Sequence, residues 1–182
     1  VAAILLANTV YGPGSPALFF PLVIGGVSIL ASVIGTFAVR LGKSQYIMGA
    51  LYKGLVAAGV LATIAFYPLS QKFMEGVASK TGFAIPSFNV FLLAVIGLAL
   101  TGLIVVITEY FTSKSFTPVK SIALASTTGH GTNVIQGLAI SMKATGAPVI
   151  VIVCAILAAF HLGGGLANPG TGLYAIALSA VA

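Results

Sequence analysis

The residues best able to do chemistry lie in one polar stretch, residues 109–148, between two long apolar runs. Glu109 ends the first of these runs. An ionised carboxylate carried to the centre of a bilayer costs about 2.5 to 3.5 kcal/mol, so such residues usually have a partner or a task in ion movement. Two interpretations of Glu109 therefore stay open. It belongs to a coupling pathway, or it pairs with Lys114 or Lys120 at the level of the lipid headgroups and ends its helix.

Two glycines flank a histidine where a helix is expected to begin, in the sequence GHGTNVIQG. His130 stands between these glycines, and Asn133 or Thr132 could cap the first N–H groups of the helix. A helix N-terminus of this kind can bind phosphate. The stretch lacks the lysine spacing and the preceding strand of a phosphate loop, so capping with close helix packing is favoured over anion binding.

Lys143 follows His130 by thirteen residues in what is expected to be one helix, about 20 Å along its axis. If residues 144–162 occupy the hydrocarbon, Lys143 lies at the cytoplasmic boundary and extends its ammonium group towards water. A buried lysine on an ion pathway is the alternative. Cys154 lies inside the next apolar run and is expected to be buried as a small hydrophobic residue.

The composition indicates a membrane protein, because 59% of the residues are hydrophobic and only 5% are charged. So little polar surface cannot cover a globule in water. The net charge of +6 comes from basic residues scattered at the ends of apolar runs. Nucleic acid is therefore excluded as a partner, since phosphate backbones require clustered basic side chains. The expected partner is the lipid bilayer.

The predicted fold class is all-α, a polytopic transmembrane helix bundle with four whole spans and two partial ones. A run of roughly 20 apolar residues crosses about 30 Å of hydrocarbon as a helix. The second whole span is expected to end at the breakers Tyr67 and Pro68. Because both ends of the chain fall within apolar runs, residues 1–182 are interpreted as a single transmembrane region of a larger membrane domain. The predicted spans are 1–11 (partial), 17–39, 48–69, 88–108, 131–161 and 173–182 (partial).

Small residues recur every fourth position along the span from Met48, at Ala50, Gly54, Ala58 and Ala62. Residues with this spacing share one helix face, and small residues let helix backbones approach closely in lipid. A second such face is formed by Ser28, Ser32 and Thr36. Both stripes are therefore predicted to be helix-packing surfaces.

The distribution of basic residues predicts the orientation, because cytoplasmic connections carry an excess of lysine and arginine. Arg40 and Lys43 mark one cytoplasmic connection, and Lys114 and Lys120 mark another. Residues 40–47 and 110–130 are therefore expected in the cytoplasm. Residues 12–16, 70–87 and 162–170 are expected outside.

The amino-acid sequence of the polar stretch resembles sequences of one family. EYFTSKSFTPVKSIA, GTNVIQGLA and SMKATGAP are similar to segments of the membrane-integral pyrophosphatases, and the order of apolar runs and breakers is similar over nearly the whole chain. The resemblance implies a sixteen-span homodimeric parent in a bacterial inner membrane. That parent would hydrolyse pyrophosphate with Mg²⁺ and translocate H⁺ or Na⁺. This chain would supply mainly outer-ring helices.

The resemblance also implies a supporting role in coupling for Glu109, which matches the glutamate of an EYYTS-like motif. Phe111 stands where the family often has tyrosine. Two acidic residues, both glutamate, cannot hold the several Mg²⁺ ions that pyrophosphate chemistry requires. No catalytic, cofactor-binding or metal-binding residue is therefore expected in this chain, and the chain alone is expected to be inactive. A secondary transporter or channel bundle without hydrolysis is the alternative that composition alone permits.

Overall fold

The chain folds into helices joined by short connections. A computed structural model describes residues 1–39 and 47–182; the predicted turn residues Arg40 and Lys43 lie outside the described part. The predicted all-α class is confirmed for the described residues, in which an isolated β-bridge joins Ala78 and Ala84. The helices are α1 (Ala2–Tyr11), α2 (Pro16–Phe37), α3 (Ile47–Met74), α4 (Ser87–Thr112), α5 (Thr117–Ser126), α6 (His130–Leu162) and α7 (Pro169–Val181). Among these, α2, α3, α4 and α6 are long and apolar enough to cross a membrane.

Two helices begin with a cap followed by proline. The Ser15 hydroxyl accepts a hydrogen bond from the Ala17 N–H at 3.3 Å, and Pro16 is the first residue of α2. The Asn168 side chain likewise accepts from the Gly170 N–H at 3.1 Å, ahead of Pro169. Serine and asparagine satisfy N–H groups that a helix start leaves unpaired, and proline has no N–H to lose there. As a result α7 begins before residue 173, its predicted start.

Helix α3 passes through Tyr67 and Pro68 and ends at Met74, so the predicted break at these two residues is wrong. Proline removes one backbone hydrogen bond, which membrane helices tolerate when neighbouring packing holds the helix together. Phe66, Ser70 and Met74 recur every fourth residue across the proline, and each is only 1% exposed. Packing along this face continues the helix beyond the proline.

The described residues form two compact units, and the boundaries between them fall within α4 and α6. The first comprises residues 1–98 and 156–182. In it α2 packs against α3, and α1 packs against α2 and α7. Its core contains large side chains that are almost wholly buried, namely Phe20, Ile24, Phe66, Leu93 and Tyr174. The prediction of a single membrane region stays a prediction.

A buried tyrosine repairs the hydrogen bond that a second internal proline removes. Pro21 lies inside α2, so the carbonyl group of Ala17, four residues earlier, has no helical N–H donor. The hydroxyl of Tyr174 donates to that carbonyl oxygen at 2.9 Å. The Tyr174 ring also meets the Tyr11 ring edge-on, with centroids 5.2 Å apart. Helix α7 thereby stabilises the start of α2.

Helices α2 and α3 approach each other closely at glycines. A Cβ atom added at Gly35 would lie 2.7 Å from the Ala58 Cβ and 3.0 Å from the Gly54 carbonyl oxygen. A side chain added at Gly54 would collide with Val39. The predicted packing role of the Gly54 and Ala58 stripe is therefore confirmed.

Three connections meet at one end of this first unit. The Lys80 backbone N–H donates to the Val10 carbonyl at 2.9 Å, and its ammonium group donates to the Asn8 carbonyl at 3.4 Å. The Asn168 amide donates to the hydroxyls of Thr81 and Ser79. The end of α1, the connection 75–86 and the start of α7 thus lie together, as their predicted placement on one side of the membrane requires. Which side it is stays a prediction.

Candidate functional site

The second unit, residues 99–155, contains the polar stretch. It comprises the end of α4, all of α5 and most of α6. The Gln136 amide of α6 donates to the Ser121 hydroxyl of α5 at 3.1 Å, and that hydroxyl donates to the Pro118 carbonyl at 2.7 Å. The bond from Gln136 holds one face of α6 against the first turns of α5.

A tight turn joins α5 to α6. Gly129 has φ +144°, a conformation that favours glycine. The Thr132 hydroxyl donates towards the carbonyl oxygens of Ala125 and Gly129, at 2.9 and 2.8 Å. The Thr132 hydroxyl thus faces backbone carbonyls at this turn, and the capping role predicted for Thr132 or Asn133 stays a prediction. His130 is the exposed first residue of α6, and the backbone N–H of Asn133 donates to the Gly129 carbonyl at 3.2 Å.

Glu109 lies in the last turn of α4 and is half-buried. Its backbone carbonyl accepts a hydrogen bond from the Ser113 N–H at 2.8 Å, and the residue has a further interaction partner. The next residue, Tyr110, contacts the rings of Phe111 and Phe116, with centroids 5.1 and 5.4 Å apart. Glu109 thus directly precedes this aromatic cluster in the chain, and both interpretations of its carboxylate remain open.

A groove of about 360 Å³ lies within this unit. Three positions of α6 spaced four and three residues apart, and therefore on one helix face, form one wall. The aromatic end of α4 and the first turns of α5 form the others. The lining residues include Tyr110, Pro118, Ser121, Gln136, Ile140 and Lys143.

The groove contains one of the four polar residues singled out in the sequence, Lys143. Glu109 directly precedes a lining residue, whereas His130 and Asn133 do not line the groove. Sequence reasoning missed Gln136 and Ser121, whose spacing from Lys143 becomes informative only once α5 is known to pack against α6. Cys154 is exposed on α6, so the buried position expected for it is wrong.

A model of the inorganic H⁺ pyrophosphatase family matches residues 1–182. The chain belongs to this family. The resemblance seen in EYFTSKSFTPVKSIA and its neighbouring segments is thereby confirmed. With four helices able to cross a bilayer among the described residues, this member of the H⁺ pyrophosphatase family is a multi-pass membrane protein.

Named relatives are similar over most or all of this family member. A K⁺-insensitive pyrophosphate-energized proton pump of Methanosarcina mazei is 41% identical over 182 residues, which are 100% of this chain and 26% of that protein. A pyrophosphate-energized proton pump 2 of Rhizobium leguminosarum bv. trifolii is 47% identical over 168 residues, 91% of this chain and 77% of that protein. A pyrophosphate-energized proton pump of Anaplasma marginale is 49% identical over 121 residues, 65% of this chain and 85% of that protein. The chain therefore spans about a quarter of the Methanosarcina pump.

The residues of this H⁺ pyrophosphatase family member do not fit a cluster of divalent metal ions. The sequence holds two acidic residues, Glu75 and Glu109. Within residues 1–39 and 47–182, no three His, Cys, Asp or Glu side chains come together. Hard divalent cations take six or more oxygen ligands, many of them carboxylates. No step of a metal-dependent reaction can be assigned to these side chains.

Proposed function

We propose that this chain is part of a pump in which hydrolysis of pyrophosphate to two phosphates drives H⁺ across a membrane. The observation that carries the proposal is the match of the inorganic H⁺ pyrophosphatase model to residues 1–182. Relatives named as pyrophosphate-energized proton pumps support it. Na⁺ is the alternative to H⁺ as the transported ion.

In this proposal the chain supplies supporting helices, and parts of the parent outside residues 1–182 supply the ligands of Mg²⁺ and pyrophosphate. The two glutamates of the chain are too few for that task. The parent acts as a homodimer in a bacterial inner membrane. The uncovered apolar surface of α6 supports further packing, because Val134, Ile135, Leu138 and Met142 are all exposed.

Glu109 acts as a positioning residue in the proposed pump. Its half-buried place at the end of α4 and its existing interaction support a role in transmitting movement along that helix. Lys143 lies at the cytoplasmic boundary of α6. His130 and Asn133 lie in the first turn of that helix and have a structural role.

The test is pyrophosphate hydrolysis in membranes that contain the full-length protein, measured with and without Mg²⁺. A pH-sensitive dye in the same sealed vesicles reports H⁺ transport. Mg²⁺-dependent hydrolysis with acidification of the lumen is the expected result. Hydrolysis with Na⁺ uptake and no acidification would replace H⁺ by Na⁺.

A protonophore provides the control, since it must abolish acidification while leaving hydrolysis intact. Absence of hydrolysis in well-folded protein would overturn the proposal in favour of a transporter or channel. Residues 1–182 expressed alone should not hydrolyse pyrophosphate. Activity of that piece would contradict the placement of the metal ligands outside it.

A further inference from the structure

We propose that the groove formed by α4, α5 and α6 binds the phosphate headgroup of an anionic membrane lipid. This binding site is separate from the proposed pyrophosphate chemistry and does not depend on it. Three observations within residues 99–155 support it: the charge of the unit, the mixed lining of the groove and its place along α6.

The first observation is charge. Residues 99–155 contain Lys114, Lys120 and Lys143 against a single acid, Glu109. Of the three lysines, Lys143 lines the groove, whereas Lys114 and Lys120 do not. Basic pockets between membrane helices on the cytoplasmic side recognise the headgroups of anionic lipids. The groove therefore offers a cation to a lipid phosphate, with two further lysines in the same unit.

The second observation is the mixed lining of the groove. The side-chain amide of Gln136 donates one N–H to Ser121 and has no other hydrogen bond to the described residues, so its second N–H can donate to a phosphate oxygen. Pro118, Ile140 and the ring of Tyr110 supply apolar surface beside these polar groups. A free phosphate ion has no apolar groups that could pack against that surface. A phospholipid does, because its glycerol and first methylene groups follow directly on the phosphate.

The third observation is the place of the groove along α6. Lys143 is followed by the apolar residues of the same helix, up to Leu162. A lysine at such a junction lies where hydrocarbon gives way to headgroups, with its stem in the apolar layer and its ammonium group at the phosphates. Tyr110 lies in the last turn of α4, and tyrosine is typical of the same interfacial level. The groove is thus placed at the depth of lipid headgroups.

The experiment measures lipid retention by the full-length protein. The protein is equilibrated with equal amounts of phosphatidylglycerol and phosphatidylcholine in detergent, and the lipids that remain bound are counted by native mass spectrometry. We expect preferential retention of phosphatidylglycerol. Lys143→Ala should lower that retention about fivefold, and Lys143→Arg should keep most of it.

Lys120→Ala is the matched control, because Lys120 is an exposed lysine of the same unit that does not line the groove. Its effect should stay below about twofold at a salt concentration that screens surface charges. Ile140→Trp provides a second variant that fills the groove and keeps the charge, so it should also reduce retention. The thermal unfolding of each variant shows whether it has folded.

Several outcomes would overturn the proposal. Equal losses in Lys143→Ala and Lys120→Ala would indicate a general basic surface without a site. Displacement of the lipid by excess inorganic phosphate or pyrophosphate would indicate a site for free anions. Unchanged retention in Ile140→Trp would place the lipid elsewhere. Failure of Ile140→Cys, made together with Cys154→Ala to remove the exposed native thiol, to react with a small thiol reagent in lipid-free detergent would mean that protein covers the groove.

Discussion

The two compact units differ in how many side chains they bury by their own packing. The first buries large side chains such as Phe20, Leu93 and Tyr174 completely or nearly so. In residues 99–155, all of which the structure describes, Pro118 is the one buried residue. Membrane helices associate through close packing, since lipid tails solvate apolar side chains as well as protein does. Substitutions should therefore affect stability in the first unit, and lipid binding or activity in the second.

The largest difference is expected between two leucines. Leu93→Ala opens a cavity in the core and should lower the free energy of unfolding by about 2 to 4 kcal/mol. Leu138→Ala, at a position that is 63% exposed, should change it by less than about 0.5 kcal/mol. Denaturant unfolding in detergent measures both. Equal effects would mean that the second unit is as tightly packed in the whole protein as the first.

A second pair of variants tests the contact between α2 and α3. Gly35→Leu forces a side chain against Ala58 and should cost about 1 to 3 kcal/mol of stability through overpacking. Gly59→Leu is the control on α3, because a Cβ there meets no atom within 4 Å among the described residues. Thermal unfolding of the two proteins compares them. If the Gly35→Leu protein were as stable as the Gly59→Leu protein, α2 and α3 would not approach each other closely at Gly35.

Glu109→Gln tests the second unit. The expected result of this test depends on the proposed function. Removing the charge should reduce pumping or hydrolysis by roughly three- to thirtyfold, the usual range for residues that transmit coupling. The unfolding temperature should stay close to that of the unchanged protein, because few groups in this unit are buried. Hydrolysis rates and vesicle acidification are the measurements. Normal rates of both would leave Glu109 as a residue that merely ends its helix.

The smallest expected effect concerns Tyr174. Tyr174→Phe keeps the ring but removes the hydroxyl that donates to Ala17, so about 1 kcal/mol of stability should be lost. Tyr67→Phe, at a position that is half exposed, is the matched control. Calorimetric or thermal unfolding resolves the difference. Identical behaviour of the two variants would show that the Ala17 carbonyl finds another donor.

Much of the helical framework follows from the sequence because apolar length and small-residue spacing are local properties. The stripe through Gly54 and Ala58 is one such case. The effects of proline were not predictable in the same way. Whether Pro68 ends a helix depends on the burial of Phe66 and Met74. How the Ala17 carbonyl is satisfied depends on Tyr174, far away along the chain.

The candidate site was predictable in part. Charge identifies Lys143 and Glu109, because ionisable groups are rare in an apolar chain. Gln136 and Ser121 carry no such signal, since isolated polar residues are common at the ends of spans. Their importance comes from one hydrogen bond between α5 and α6. The exposure of Cys154 likewise depends on which helices lie beside α6, which periodicity does not reveal.

The hydrogen bonds from Lys80 to the end of α1 determine when, during synthesis of the chain, this end of the first unit can close. The Val10 carbonyl finds its donor, the Lys80 backbone N–H, on a residue that leaves the ribosome only after α2 and α3 have been made, whereas the Asn8 carbonyl already accepts from the Gly12 N–H. Until then water must satisfy the Val10 carbonyl. A nascent chain can close this end only when α2 and α3 have both crossed, so that Lys80 returns to the side where α1 ended. Closure of this end therefore waits until both helices have been made.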